Sequence, residues 1–168
     1  MRKLILFAFT IILLLWGCTS SDDVGNFKLY LTDLPIDNAE EILVTISEIN
    51  VQKEDEGFFT VWSGGKTYDL LKLRSKEEKI VDVTLDEGTY TQIRLVVTEG
   101  RIVIASESHE MKVSSPEVKI PFFFSILAGG ATEIHLDFEA EHSIHVVGAG
   151  LSGKYILTPV IKVKSVTY

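Results

Sequence analysis

"YTQIRLVVT", residues 90–98, is the stretch that decides the fold. Ile93, Leu95 and Val97 alternate with Gln92, Arg94 and Val96. Successive side chains of an extended strand point to opposite faces, so one apolar row lies on a core and the other row faces outward. The same period recurs where Ile134, Leu136 and Phe138 alternate with His135, Asp137 and Glu139. A core-facing helix needs apolar residues at i, i+3 and i+4, and no segment of the domain keeps that spacing convincingly.

Working outward, strand-like runs follow one another with short turns. They are Phe27–Thr32, Ile42–Gln52, Phe58–Trp62, Thr67–Leu73, Ile80–Leu85, Tyr90–Thr98, Arg101–Ile104 and Glu110–Val113, then Val118–Ile126, Thr132–Phe138, Ser143–Val147 and Tyr155–Val163. In Ile42–Gln52 the apolar phase switches from Val44 and Ile46 to Ile49 and Val51, which predicts a β-bulge near Ser47. Gly64-Gly65 reads as a two-residue hairpin turn, because glycine tolerates the positive φ that such turns need. Pro159 inside a strand-like run predicts an edge or a bulge. Pro35–Glu41 and Arg74–Lys79 each suit about one turn of helix. Many short strands with frequent turn signals predict an all-β sandwich with Ile93, Leu95, Val97, Leu136, Phe138 and Ile161 in its core.

The start of the chain reads differently. Arg2 and Lys3 precede an apolar run, Leu4 to Trp16, broken only by Thr10. A membrane-spanning helix needs roughly 20 apolar residues, so this run is short and suits a secretory signal. Leu15-Trp16-Gly17-Cys18 resembles the bacterial lipobox, in which the cysteine receives a diacylglyceryl group and becomes the new N-terminus. Cys18 is the only cysteine of the chain. Disulfides in an oxidising compartment need pairs, so lipidation of Cys18 is the reading that gives it a role. The expected organisation is a lipoprotein signal peptide at 1–17, a lipidated flexible tether at 18–26 and a β-sandwich at 27–168. Ser21-Asp22-Asp23 further resembles an acidic surface-export signal. The expected location is the cell envelope, on the outer membrane, surface-exposed or on its periplasmic side, with the lipid anchor making the membrane a partner.

The full chain has 168 residues and a net charge of −8. Losing Arg2 and Lys3 with the signal leaves fourteen basic against twenty-four acidic residues, a balance of −10. That argues against a nucleic-acid partner, whose phosphates are neutralised by Lys and Arg.

Several ordered motifs resemble the DUF4382 domain of bacterial lipoproteins. They are Leu31-Thr32-Asp33-Leu34-Pro35-Ile36-Asp37, Val44-Thr45-Ile46, Tyr68-Asp69-Leu70-Leu71, Gly88-Thr89-Tyr90-Thr91-Gln92-Ile93-Arg94-Leu95-Val96, Leu136-Asp137-Phe138 and Thr158-Pro159-Val160-Ile161-Lys162-Val163. Asp86-Glu87 departs from the small apolar or proline-containing turn commoner before Gly88, which changes a turn and not the fold. The resemblance implies an immunoglobulin- or transthyretin-like sandwich in an envelope lipoprotein. It implies no catalytic residue and no cofactor.

Chemical motifs are few. Gly148-Ala149-Gly150-Leu151-Ser152-Gly153 satisfies G-x-G-x-x-G, but a strand-like segment with Pro159 follows where dinucleotide binding needs a helix N-terminus, so a hairpin loop is expected. Gly65-Lys66-Thr67 imitates the end of a phosphate-binding loop, yet Thr60 stands where its first glycine belongs. No serine sits in G-x-S-x-G, and no catalytic residue is assigned. Imidazole and carboxylate side chains gather at His135, Asp137, Glu139, His142 and His145, a set that suits a divalent transition metal. Alternation alone also places polar residues there, and the reading adopted is a solvated sheet face without metal. The expected function is a non-catalytic binding or scaffold domain with an envelope protein or a glycan as partner. The alternatives are a carbohydrate-binding module using Trp62, Phe59 or Phe123, a small hydrolase with Asp137 and Glu139 as acid and base, and a metal-binding protein.

Overall fold

The structure, a computed structural model, describes residues 23–33, 39–74, 76–148 and 153–168. The strands are β1 (Val24–Asp33), β2 (Glu41–Lys53), β3 (Gly57–Asp69), β4 (Glu78–Asp86), β5 (Gly88–Ile104), β6 (Glu107–Val113), β7 (Glu117–Ile126), β8 (Ala131–Phe138), β9 (Ile144–Val147), β10 (Lys154–Leu157) and β11 (Ile161–Thr167). Among the described residues two single helical turns, α1 (Leu70–Leu73) and α2 (Ala140–Ser143), interrupt them. One sheet has the order β11-β8-β1-β4, and the other β3-β2-β5-β6-β10-β9 with β7 also on β5. The two pack face to face as the expected all-β sandwich.

The seventeen-residue β5 is its spine. β2 takes one edge along most of its length, while β7 and β6 share the other, β7 beside Gly88–Val96 and β6 beside Gly100–Ile104. Tyr90–Thr98 and Arg101–Ile104, read as separate runs, are therefore one strand. Ile93, Leu95, Val97, Leu136, Phe138 and Ile161 are all buried, as their alternation predicts. Phe124 of β7 stacks on Tyr90 of the same sheet at 5.2 Å and on Phe27 of the opposite sheet at 5.6 Å, joining the layers. Each such large side chain, fully buried, contributes about 1.5–3 kcal/mol.

The bulge at Ser47 is present. Ile46 faces Val97 and Glu48 faces Val96, so Ser47 has no opposite residue in β5, and Val44, Ile46, Ile49 and Val51 all reach the core. Gly64-Gly65 is not the hairpin turn expected. β3 runs through both glycines, and the register passes from Glu48–Ser63 to Ile46–Lys66, leaving one extra residue on β3 opposite the Ser47 bulge. Gly65 has φ 70°, which a bulge needs as much as a turn does.

Other boundaries differ for local reasons. Thr67–Leu73 stops being a strand at Asp69, whose Oδ1 accepts from the Leu71 N–H at 3.1 Å and caps α1. Leu70 and Leu73, three apart, then both point into the core. The helical turn thus precedes Arg74–Lys79, where β4 begins at Glu78. Tyr155–Val163 divides at Thr158–Val160, since β10 lies in the larger sheet and β11 in the smaller one. Pro159 marks that change of sheet and not an edge or bulge. Strand β1 begins at Val24, three residues ahead of the expected Phe27. Most of Pro35–Glu41, all of 1–22 including Cys18, and residues 149–152 lie outside the described residues. Val147 pairs with Lys154 across the last of these gaps, so the glycine-rich segment does connect an antiparallel hairpin.

Candidate functional site

β8 carries Thr132, Ile134, Leu136 and Phe138 into the core, which turns His135 and Asp137 outward on the smaller sheet. The His135 ring stacks on Tyr30 of β1 at 4.7 Å, and its Nδ1 lies 2.8 Å from Glu77 Oε2. Lys164 Nζ of β11 donates to the other oxygen of Glu77 at 3.2 Å. Burial pushes the Glu77 carboxyl up, but the hydrogen bond from Lys164 and the proximity of His135 outweigh it and hold the group below its usual range. Glu139 accepts from Lys162 Nζ at 2.6 Å. Asp137 sits between these pairs, and its Oδ1 has no hydrogen-bond partner among the described residues. Burial, then the charge of Glu139, raises its pKa, against Lys164 and Lys162, which lower it.

The sequence candidates are thus only partly brought together. His135 and Asp137 share the outer face of β8, between β1 and β11, and Glu139 follows just beyond its end, yet His135 and Glu139 are each engaged with another side chain. His142 is exposed, its Nδ1 3.7 Å from Glu139 Oε2, and His145 lies on β9 in the other sheet, opposite Ile156. Among the described residues no group of three or more His, Cys, Asp or Glu side chains is placed to hold a metal ion.

The aromatic candidates also separate. Trp62 and Phe59 face Ile49 and Val51 of β2, both core residues, so they lie on the inward side of β3 at its open edge. Phe123 stands on β7, across β2 and β5 from them, and is 71% exposed. They form no single platform. Phe58, on the outward side, is instead covered by the Arg94 guanidinium, 4.0 Å from its ring centre.

Sequence reading missed a concavity of about 580 Å³ on the outer face of the larger sheet. Leu43 and Thr45 of β2, Thr67 of β3, Glu99 and Arg101 of β5 and Glu110 of β6 line it. The hydroxyls of Thr45 and Thr67 meet at 2.9 Å, and Thr45 Oγ1 also donates to Glu99 Oε2 at 3.4 Å. Its volume lies within the roughly 300–1,000 Å³ of small-molecule sites. The lining offers hydroxyls, carboxylates and one guanidinium, chemistry for hydrogen-bonding a polar ligand. No local pattern announces it, because four strands from distant parts of the sequence supply it through their register.

A sandwich of two mostly antiparallel sheets, joined by a strand pair that changes layer at Pro159, places the chain among all-β domains. The comparison with known families is more specific. Residues 24–159 match DUF4382, a domain of unknown function, and the chain belongs to that family. No curated protein and no solved structure matches it.

Proposed function

We propose that the chain is a lipid-anchored protein of the cell envelope, held on the outer membrane through Cys18, whose sandwich is a non-catalytic binding or scaffold domain. The observation that carries the binding role is the concavity lined by Thr45, Thr67, Glu99, Arg101 and Glu110. It lies on the half of the larger sheet away from Val24, where the chain leaves towards Cys18. An anchor at one end and a polar recess toward the other suit a domain that presents a ligand site away from the membrane. Support for the anchor comes from Leu15-Trp16-Gly17-Cys18 and the apolar run before it. Two or more acyl chains hold a protein stably, at about 0.8 kcal/mol per buried CH₂.

The lining favours one class of small ligand. Two carboxylates against one guanidinium disfavour phosphates, while hydroxyl and carboxylate groups match a neutral polyhydroxylated ligand, so a glycan is the second reading. Fractionation of cells carrying Cys18→Ser tests the anchor: release of the protein from membranes, or a block in processing, is expected. Glycan-array binding and envelope cross-linking with the intact chain test the domain. Capture of a glycan or an envelope protein that weakens in Arg101→Ala supports binding at the recess, and capture unaffected by that change removes the recess from the proposal. Turnover of a polysaccharide or ester, abolished in Asp137→Asn, would make the domain an enzyme instead.

A further inference from the structure

The chain enters the sandwich at Val24, and the elements around that residue form one end of the molecule. Val24 lies opposite Asp86 at the end of β4, Asn26 beside Ala131 at the start of β8, and Gly88 opposite Ile126 at the end of β7. The turn from Leu127 to Gly130 closes over this point. The Gly129 N–H donates to the Val24 carbonyl at 2.8 Å, and the Asn26 N–H donates to the Gly130 carbonyl at 2.9 Å.

Exposed large apolar side chains concentrate here. Phe123 is 71% exposed, Leu127 49% and Tyr168, just beyond β11, 61%; Phe58 and Phe59 also lie at this end but on the β3 flank, with Arg94 over the Phe58 ring. Val146 and Val147 of β9 are exposed elsewhere. The charges are not spread evenly around this end. Glu54, Asp55 and Glu56 occupy the β2–β3 turn, where Lys53 pairs with Glu56 at 2.8 Å, and Glu87 the β4–β5 turn, leaving a net negative charge on the flank where β3 and β4 are the outer strands. Phe123, Leu127 and Tyr168 lie on the opposite flank, where β7 packs over β11 and β8. An apolar corner next to an acidic one is a polarised surface, and exposed apolar clusters mark contact sites.

We infer that the corner formed by Phe123, Leu127 and Tyr168 is a contact surface for a lipid bilayer. This rests on the anchor reading, and chain length supplies its occupant. Five residues lie between Cys18 and Val24, six steps along the chain, and a chain spans at most about 3.3–3.6 Å per residue, so an acylated Cys18 keeps this end within about 20 Å of the bilayer. Aromatic side chains with an apolar body settle at the interfacial layer, and Tyr168 adds a polar tip for the headgroups. The acidic turns are repelled by anionic lipid, so the molecule leans onto its β7 and β11 flank and prefers a zwitterionic surface. The recess then points away from the membrane.

The test uses the full acylated chain in phosphatidylcholine–phosphatidylethanolamine vesicles carrying nitroxide-labelled lipid. Acylation removes the only native thiol, so Ala128→Cys in the exposed turn or Glu107→Cys at the far end takes a single environment-sensitive dye. Expected is loss of most emission at position 128, none at 107, and recovery at 128 when Phe123→Ser and Leu127→Ser are added while the chain still floats with the vesicles. Flotation with full emission at 128 overturns this contact and leaves the anchor standing. A blue-shifted dye at 128 that grows with protein concentration and escapes nitroxide quenching assigns the corner to a second copy and overturns it as well. A chain that does not float removes both the anchor and the contact.

Discussion

Ser143 gives the sharpest energetic test of how the two sheets are joined. Its side chain is fully buried. Oγ donates to the Glu139 carbonyl at 2.7 Å and accepts from the Val160 N–H at 2.9 Å, while its own carbonyl accepts from the Thr158 N–H at 2.8 Å. One serine therefore binds the turn after β8 to the segment where the chain passes from β10 to β11. Ser143→Ala removes both side-chain bonds. The Glu139 carbonyl keeps the N–H groups of His142 and Ser143, at 3.1 and 3.0 Å, so it stays satisfied. The Val160 N–H loses its partner at a part-buried position. A net hydrogen bond contributes about 0.5–1.5 kcal/mol, and stranding a buried donor costs about 1–3 kcal/mol. Together these give a destabilisation of about 2–3 kcal/mol. In urea, with a slope of about 1–3 kcal/mol per molar, the midpoint should fall by about 0.7–3 M with an unchanged slope. Ser63→Ala, on an exposed position of β3, should stay within about 0.5 kcal/mol of the parent. An unchanged midpoint for Ser143→Ala would refute the joint as described.

Leu95→Ala, at a fully buried position of β5, should cost about 2–5 kcal/mol in the same assay, and a cost under about 1 kcal/mol would contradict its place in the core. Gly25→Ala should be badly tolerated, because a new Cβ would press on the Leu127 carbonyl oxygen and come within 2.9 Å of Ile126 Cγ2. Gly100→Ala meets the movable ends of the Leu157 and Met111 side chains and, less tightly, the Met111 Cβ at 3.3 Å, but no backbone atom, so its melting temperature should drop less than that of Gly25→Ala; the reverse order would contradict the packing at both sites. Asp137 binds its proton more tightly folded than unfolded, so its ionisation costs stability as pH rises through the window from its unfolded pKa to its raised folded one. Asp137→Asn should accordingly be more stable than the parent at neutral pH, with the gain vanishing in acid. Glu77 has the opposite sign: its contribution is full above the unfolded pKa and is lost as pH falls through the lowered folded value, so Glu77→Gln should be less stable near neutrality and converge with the parent in acid. Parallel pH curves of parent and variant would count against either assignment.

The faces of the strands were legible because a two-residue period needs no partner to be read. Ile93, Leu95, Leu136 and Phe138 announce their burial locally, and the phase switch around Ser47 announces the bulge. Gly64-Gly65 was ambiguous because turn and bulge make the same demand on φ, and only the pairing with β2 separates them. Asp69 could have signalled the helical cap before Leu70-Leu71, but the run of apolar residues masked it. The surroundings of His135 were out of reach, since Glu77 comes from a segment 58 residues away. The same holds for the recess, whose Thr45–Thr67 contact and Arg101–Glu110 pairing exist only once β2, β3, β5 and β6 are in register.

Mass analysis of the N-terminal peptide of the mature protein tests the proposed anchor most directly. The expected peptide begins at Cys18 and carries the mass of a diacylglyceryl group on its sulfur. A mature chain that begins elsewhere, or a Cys18 with an unmodified thiol, would contradict it.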